Sequence, residues 1–290
     1  MNKISVNLWY DKEASEAAEF YCQTFPDTRI VSRYEMHDTP SGEVEIINVS
    51  LMGFDFVLMS AGPYFKPSPT ISFHIPCYSE AEVEDIWHKL TPNGKVLMEL
   101  GEYPFSKKYG WVEDKYGFSW QIIMVEPGIP KVVTPVLMYT GQNAGRAEEA
   151  VALYTSVFDN SEIKAVSRYP AGMEPDIEGS VMYLDFHLLG QKMGAMDSRR
   201  DHKFTFGEAI SIIVTCRDQE EIDKYFDKLS AVPESEQCGW LKDKYGVSWQ
   251  IVPEGVEKFF AGKDKEKMAK VMKVFLEMKK IDIATLEKLI

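Results

Sequence analysis

The stretch GWVEDKYGFSWQI at Gly110–Ile122 returns as GWLKDKYGVSWQI at Gly239–Ile251, and only Val112/Leu241, Glu113/Lys242 and Phe118/Val247 differ. A second pair lies upstream: NLWY at Asn7–Tyr10 opens one half and VLMY at Val136–Tyr139 opens the other. Both pairs share one offset, 239 − 110 = 129 and 136 − 7 = 129. A fixed offset of this length marks a duplicated unit and takes precedence over any local reading. The chain is one domain written twice.

The 290 residues suit two domains, each long enough to bury a core. The content of 45% apolar and 12% aromatic residues is that of a folded globular protein. A formal net charge of −13, with no basic stripe to offset it, argues against nucleic acid as a partner. The N-terminal MNKISVNLWYD lacks the apolar core of a signal peptide, and no apolar run is long enough for a membrane span, so the cytoplasm is the expected compartment and no membrane partner is expected. Cys22, Cys77, Cys216 and Cys238 form no CxxC pair and read as packed thiols.

Along the chain, Ile4–Tyr10 alternates as a half-buried strand, followed by a helix with Ala14, Ala17, Ala18, Tyr21 and Phe25 on one face. Three extended runs follow, giving β-α-β-β-β. The order restarts at Ile71–Cys77, which sets Ser72, His74 and Pro76 on one face. Ser79 with Glu82 then forms a capping box that opens the next helix. The turn Asp114–Gly117 leads into Ser119–Val125, with Gly117 at the left-handed position and Asp114 holding the turn amides. The second copy repeats this grammar, with Asp218 and Glu221 as its capping pair. The domains are read as 1–126 and 132–255, joined by a linker containing Pro127, Gly128 and Pro130. Residues 256–290 form a helical extension, unmatched in the first half from about Lys263 onward. Its stripe of Met268, Val271, Met272, Phe275 and Met278 reads as a helix docked on the body, with its lysines in water.

Four βαβββ units in two pairs resemble the vicinal oxygen chelate superfamily, the glyoxalase and bleomycin-resistance fold. The phrases FYCQTF, VALYTSVF, AISIIVTC, DKYGFSWQI and CGWLKDKYGVSWQIVP, with the tail KVMKVFLEMKKIDIATLEKL, are similar to its PhnB-like branch. Members of that branch often carry the label demethylubiquinone methyltransferase. The resemblance implies an α+β fold in which each tandem domain is a pair of units forming a cupped mixed sheet with helices outside. Whether units pair within one copy or exchange between copies is left open. A Rossmann-type methyltransferase is disfavoured, because no GxG turn occurs anywhere in the chain.

Enzymes of the superfamily hold a divalent metal on histidines and glutamates facing the cavity, including a glutamate a few residues after the DxxG turn. The matching positions here are Gln121 and Gln250, neutral amides that ligate poorly and cannot act as general bases. His74 matches a ligand-bearing position, and its counterpart in the second copy is Ile213. Asn7 and Trp9 face Val136 and Met138 in the comparison of first strands, so the first cavity is expected to be the more polar one. The expected ligand-binding residues are therefore Asn7, Trp9, His74, Gln121 and Gln250, with no catalytic residue assigned. No cofactor is expected; His74 and Gln121 are the weak candidates for a metal. The reading is a small-molecule-binding protein, monomer or homodimer, and the alternative is a divalent-metal-dependent lyase, isomerase or dioxygenase. Trp111 and Trp240 either wall the cavity or brace the hairpins, with bracing preferred, and Trp120 and Trp249 are read as core.

Overall fold

Alternating apolar residues build every principal strand, and the strand order shows what the repeat means in space. The computed structural model describes residues 3–260 and 264–290. Residues 1, 2 and 261–263, among them the Lys263 read as the start of the unmatched segment, lie outside the described residues.

The first unit runs β1 (Ile4–Tyr10), α1 (Ala14–Thr24), β2 (Thr28–Thr39), β3 (Gly42–Leu51) and β4 (Phe54–Ser60). The second runs β5 (Ile71–Cys77), α2 (Glu80–Leu90), β6 (Lys95–Tyr103), β7 (Ser106–Glu113) and β8 (Ser119–Met124). The third runs β9 (Thr134–Tyr139), α3 (Ala147–Val157), β10 (Glu162–Arg168), β11 (Val181–Leu188) and β12 (Gln191–Asp197). The fourth keeps β13 (Ile210–Cys216), α4 (Gln219–Leu229), β14 (Trp240–Lys242) and β15 (Ser248–Pro253). A short 3-10 turn at Pro233–Ser235 precedes β14, and no strand is assigned where β6 stands in the second unit. The capping residues act as read: the Ser79 hydroxyl accepts from the Glu82 amide and the Asp218 carboxylate from the Glu221 amide.

Units pair across the copies. One seven-stranded sheet has the order β14-β15-β13-β1-β4-β3-β2, joining the fourth unit to the first. The eight-stranded sheet, β10-β11-β12-β9-β5-β8-β7-β6, joins the third to the second. The seams are antiparallel: Asn7 lies opposite Ser211 between β1 and β13, and Ser72 opposite Val136 between β5 and β9. The short segment between β8 and β9 lets the third unit pair beside the second.

Because side chains alternate on a strand, each sheet has a helix-facing surface and a cup surface. The helix-facing residues of both sheets merge with the helices into one apolar core, so the two sheets stand back to back with their cups turned outward. Within each copy a carboxylate ties helix to hairpin. Asp114 accepts from the Tyr21 hydroxyl on α1 (2.8 Å), from Trp120 Nε1 (2.7 Å) and from the amides of Tyr116 and Phe118. Asp243 repeats this with Tyr154, Trp249, Tyr245 and Val247. Burial raises both carboxyls, and the four donors oppose it. These aspartates thus do more than hold the turn, in which Gly117 and Gly246 both take φ +87°. Trp120 and Trp249 are core residues, fully buried.

The extension folds as α5 (Lys265–Glu277) and α6 (Ile283–Glu287). Val271, Met272 and Phe275 are buried with Phe259, Ile281 and Leu286 in a separate apolar cluster. The amides of Cys238 and Gly239 donate to the carbonyls of Met278 and Lys279, both at 2.7 Å. The lysines Lys267, Lys270 and Lys273 stay exposed.

Candidate ligand-binding sites

Cross-pairing divides the residues read as one site. His74 and Gln121 share the eight-stranded cup, whereas Asn7, Trp9 and Gln250 belong to the seven-stranded one. The expectation of one polar first cavity is corrected accordingly: the two copies contribute to both cups, and each cup receives a different polar group.

In the eight-stranded cup, register places Thr134, His74, Gln121 and Trp111 in one row across β9, β5, β8 and β7. His74 Nε2 lies 2.8 Å from Gln121 Oε1, and the Tyr109 hydroxyl donates to the same oxygen at 2.6 Å. Gln121 Nε2 donates to Ser72 Oγ at 2.7 Å. With the amide oxygen accepting, the histidine proton sits on Nε2, and Nδ1 is left to accept from the Tyr183 hydroxyl at 3.4 Å. The two rings also stack, 5.4 Å apart with planes 6° from parallel. Tyr183 reaches His74 because β12 carries Gly194 at the crossing point; a Cβ there would stand 2.6 Å from the Tyr183 oxygen.

Burial pushes the His74 pKa down to about 4, with nearby Lys192 adding to the fall and the Gln121 hydrogen bond opposing it, so the ring is neutral at pH 7. Burial also raises the Tyr109 and Tyr183 hydroxyls, which stay protonated. Asp185, the carboxylate beside Tyr183, pairs with Lys192 at 3.2 Å. Apart from that ion pair, the surface around Gln121 offers neutral donors and acceptors under an aromatic rim, where Tyr103 and Phe105 stand edge-on to Tyr109 at 5.3 and 5.0 Å. A divalent metal fits this donor set poorly. One imidazole, one amide oxygen already accepting twice and hydroxyls lack the anionic ligand such an ion needs. Among the described residues no group of three or more His, Cys, Asp and Glu converges as a metal site.

The seven-stranded cup is different. Asn7 is fully buried, and neither its Oδ1 nor its Nδ2 has a hydrogen-bond partner. Each such buried group costs about 1–3 kcal/mol. Opposite it, Ser211 accepts from Gln250 Nε2 at 2.9 Å, as Ser72 does from Gln121. Trp9 Nε1 donates to the Gly62 carbonyl at 2.8 Å, which frees the indole to act as an apolar wall. Phe65 packs edge-on to it at 4.9 Å and Trp240 at 6.2 Å. Trp240 and Trp111 thus line cups rather than merely brace hairpins, because their registers to Gln250 and Gln121 fix the shared face.

Tyr109, Tyr183, Ser72 and Ser211 were missed as site residues. The serines had a signal, since Ser72 and Ser211 recur at equivalent places one position into β5 and β13. Tyr183 had none, because only the exchange of units brings it to His74.

No curated protein matches the chain. Among solved structures, the PhnB protein of Bacillus cereus is 34% identical over 43% of this chain and all of its own, with a TM-score of 0.40. Glyoxalase I of Zea mays is 12% identical, covering 86% of this chain and 92% of its own at a TM-score of 0.52. A candidate dioxygenase of Bacillus subtilis is also 12% identical, covering 100% and 96% at 0.51. At such identities the last two show the fold alone, that of the vicinal oxygen chelate proteins. The family model described as 3-demethylubiquinone-9 3-methyltransferase matches twice in tandem, over residues 2–123 and 131–252. The chain therefore belongs to that PhnB-like family of the glyoxalase fold, carrying two copies of its domain.

Proposed function

We propose that the chain is a small-molecule-binding protein whose ligand lies on the polar face of the eight-stranded cup, against His74, Gln121, Tyr109 and Tyr183. The observation that carries this is the hydrogen-bonded row around Gln121, in which the position matching a metal-binding glutamate is a neutral amide engaged by a neutral histidine. Such a row orients an uncharged oxygen- or nitrogen-bearing ligand, and the aromatic rim favours a planar one. Burial holds His74, Tyr109 and Tyr183 in their neutral forms near neutral pH, so none of these three is poised to exchange protons there, which supports binding over acid–base turnover. The family label does not decide the activity, and the absence of a glycine-rich GxG turn still speaks against Rossmann-type methyl transfer.

No helix among the described residues is long and apolar enough to cross a membrane. Four unpaired cysteines support a cytoplasmic setting. Both cups are completed within one chain, which supports a monomer as the working form. The test is elemental analysis and native mass spectrometry of protein purified without a histidine tag or chelator. An organic ligand retained by the wild type and lost in His74→Ala supports the reading. A stoichiometric divalent ion lost in that variant would sink it and revive the metal-dependent alternative.

A further inference from the structure

The duplication makes two helix pairs comparable, α1 with α2 in the first copy and α3 with α4 in the second. All four helices have eleven residues, so positions correspond one to one. Where α1 ends against one face of α2, the first copy holds a cavity of about 320 Å³, walled by Cys22, Phe25, Met52, Cys77 and Ile86 and reached by Lys131. It lies at the ends of the helices and opens to solvent beside exposed Gln23 and Lys89. Its volume is in the range of small-molecule sites.

The second copy shows what belongs in this space. Ile86 and Tyr225 are both the seventh residue of their helices, and Phe25 and Phe158 both follow the end of theirs. The Tyr225 ring is buried against Phe158, centroids 4.6 Å apart. The frame around it is the same in both copies. Phe25 rests on Trp120 at 4.7 Å as Phe158 rests on Trp249 at 5.6 Å. Lys131 pairs with Glu82 at 2.6 Å as Lys3 pairs with Glu221 at 3.0 Å, each glutamate being the third residue of its helix. Met52 and Leu189 stand in the same left-handed turn before a glycine, at φ 45° and 50°. Replacing Tyr225 by Ile86 therefore removes a phenol ring from a conserved slot. The walls left behind suit an aromatic ring, with one face of Phe25 to stack on and the polarizable sulfurs of Cys22, Met52 and Cys77 around it. Burial lifts the Cys77 thiol to about 12 and raises that of Cys22, so these sulfurs make contacts and do not attack. The charged residues of the rim pair off, Lys131 with Glu82 and Lys89 with Asp85, which favours an uncharged ligand.

We propose that the cavity between α1 and α2 is a binding site for a small uncharged phenol, whose ring takes the place that Tyr225 fills in the second copy. This site is separate from the His74 face and does not rest on it. The experiment uses the full chain and p-cresol, the tyrosine side chain as a free molecule, with 4-methylcyclohexanol as a non-aromatic control. Binding is read from the Met52 methyl resonance for the first slot and the Leu189 methyl resonances for the second. The p-cresol should shift the Met52 signal in a saturable way in wild type and in His74→Ala, and the control should not. In Ile86→Tyr the apparent affinity should fall by roughly tenfold or more, because the new phenol fills the slot, and the variant should melt above wild type. Tyr225→Ile should gain a saturable response at Leu189 that wild type lacks. A Met52 signal unmoved by p-cresol, moved equally by the control, or moved with unchanged affinity in Ile86→Tyr would overturn the proposal. So would a Tyr225→Ile protein that folds and gains no response at Leu189.

Discussion

Acidification tests the electrostatics of the His74 face directly. The ring's pKa falls from the ordinary 6.5 to about 4 because burial disfavours the imidazolium. A base whose folded pKa is depressed contributes its stability in full above its unfolded pKa. That stability is lost as pH falls from about 6.5 towards 4. Between pH 8 and pH 5 the linkage amounts to RT ln[(1 + 10^1.5)/(1 + 10^−1)], about 2 kcal/mol. Part of the ring meets solvent on the cup face, so this is an upper value. The perturbation is His74→Gln, which keeps a side chain able to hydrogen-bond Gln121 but does not titrate. Urea unfolding at pH 8 and pH 5 should show the wild type losing up to about 2 kcal/mol more than the variant. The Cε1–H resonance of His74, assigned by its absence from His74→Gln, should titrate near 4. A midpoint close to 6.5, or equal losses of stability in the two proteins, would refute the claim that the ring is held neutral.

Restoring a carboxylate by Gln121→Glu should raise the His74 midpoint by more than one unit, read from the same resonance, because Nε2 then faces an anion at hydrogen-bond distance. Tyr21→Phe and Tyr154→Phe each remove a donor from a buried aspartate, and each should cost about 1–3 kcal/mol in urea unfolding. Near-equal costs are expected because the two environments are near copies; a neutral result at either would show that the other three donors suffice. Gly194→Ala should displace Tyr183 from His74, cost about 1–3 kcal/mol and shift the His74 ring resonances, since the added methyl would stand 2.6 Å from the Tyr183 oxygen. An unshifted His74 signal would mean that Tyr183 does not set its environment.

Periodicity made most of the strands legible, because an amphipathic strand writes its two faces into alternate residues. Ile4–Tyr10 and Ile71–Cys77 match their observed bounds, and the capping pairs Ser79/Glu82 and Asp218/Glu221 mark true helix starts. It was the family resemblance, not alternation, that put Gln121 on the same face as His74. Pairing between units was not legible, because β1, β5, β9 and β13 all carry the same kind of pattern and any two could meet at a seam. The choice is made by three-dimensional closure, and it decides which side chains share a site. Tyr183, distant from His74 in sequence, becomes its stacking partner, while Asn7 leaves it.

That exchange also explains how a duplicated chain comes to have two unlike cups. Were each copy to close on itself, His74 and Asn7 would line one cavity, and Ile213 and Val136 an apolar second one. Cross-pairing instead sets Val136 opposite Ser72 in the eight-stranded cup and Asn7 opposite Ser211 in the seven-stranded cup. Each cup then holds one polar group missing from the other, on the same Ser–Gln scaffold. Divergence between the copies is thereby turned into difference between the cups: a neutral histidine row under an aromatic rim in one, and an unpaired buried amide in the other. A substitution at His74 should therefore leave the Asn7 cup intact, and one at Asn7 should leave the His74 titration near 4, because each lies on a separate sheet with the shared helix core between them.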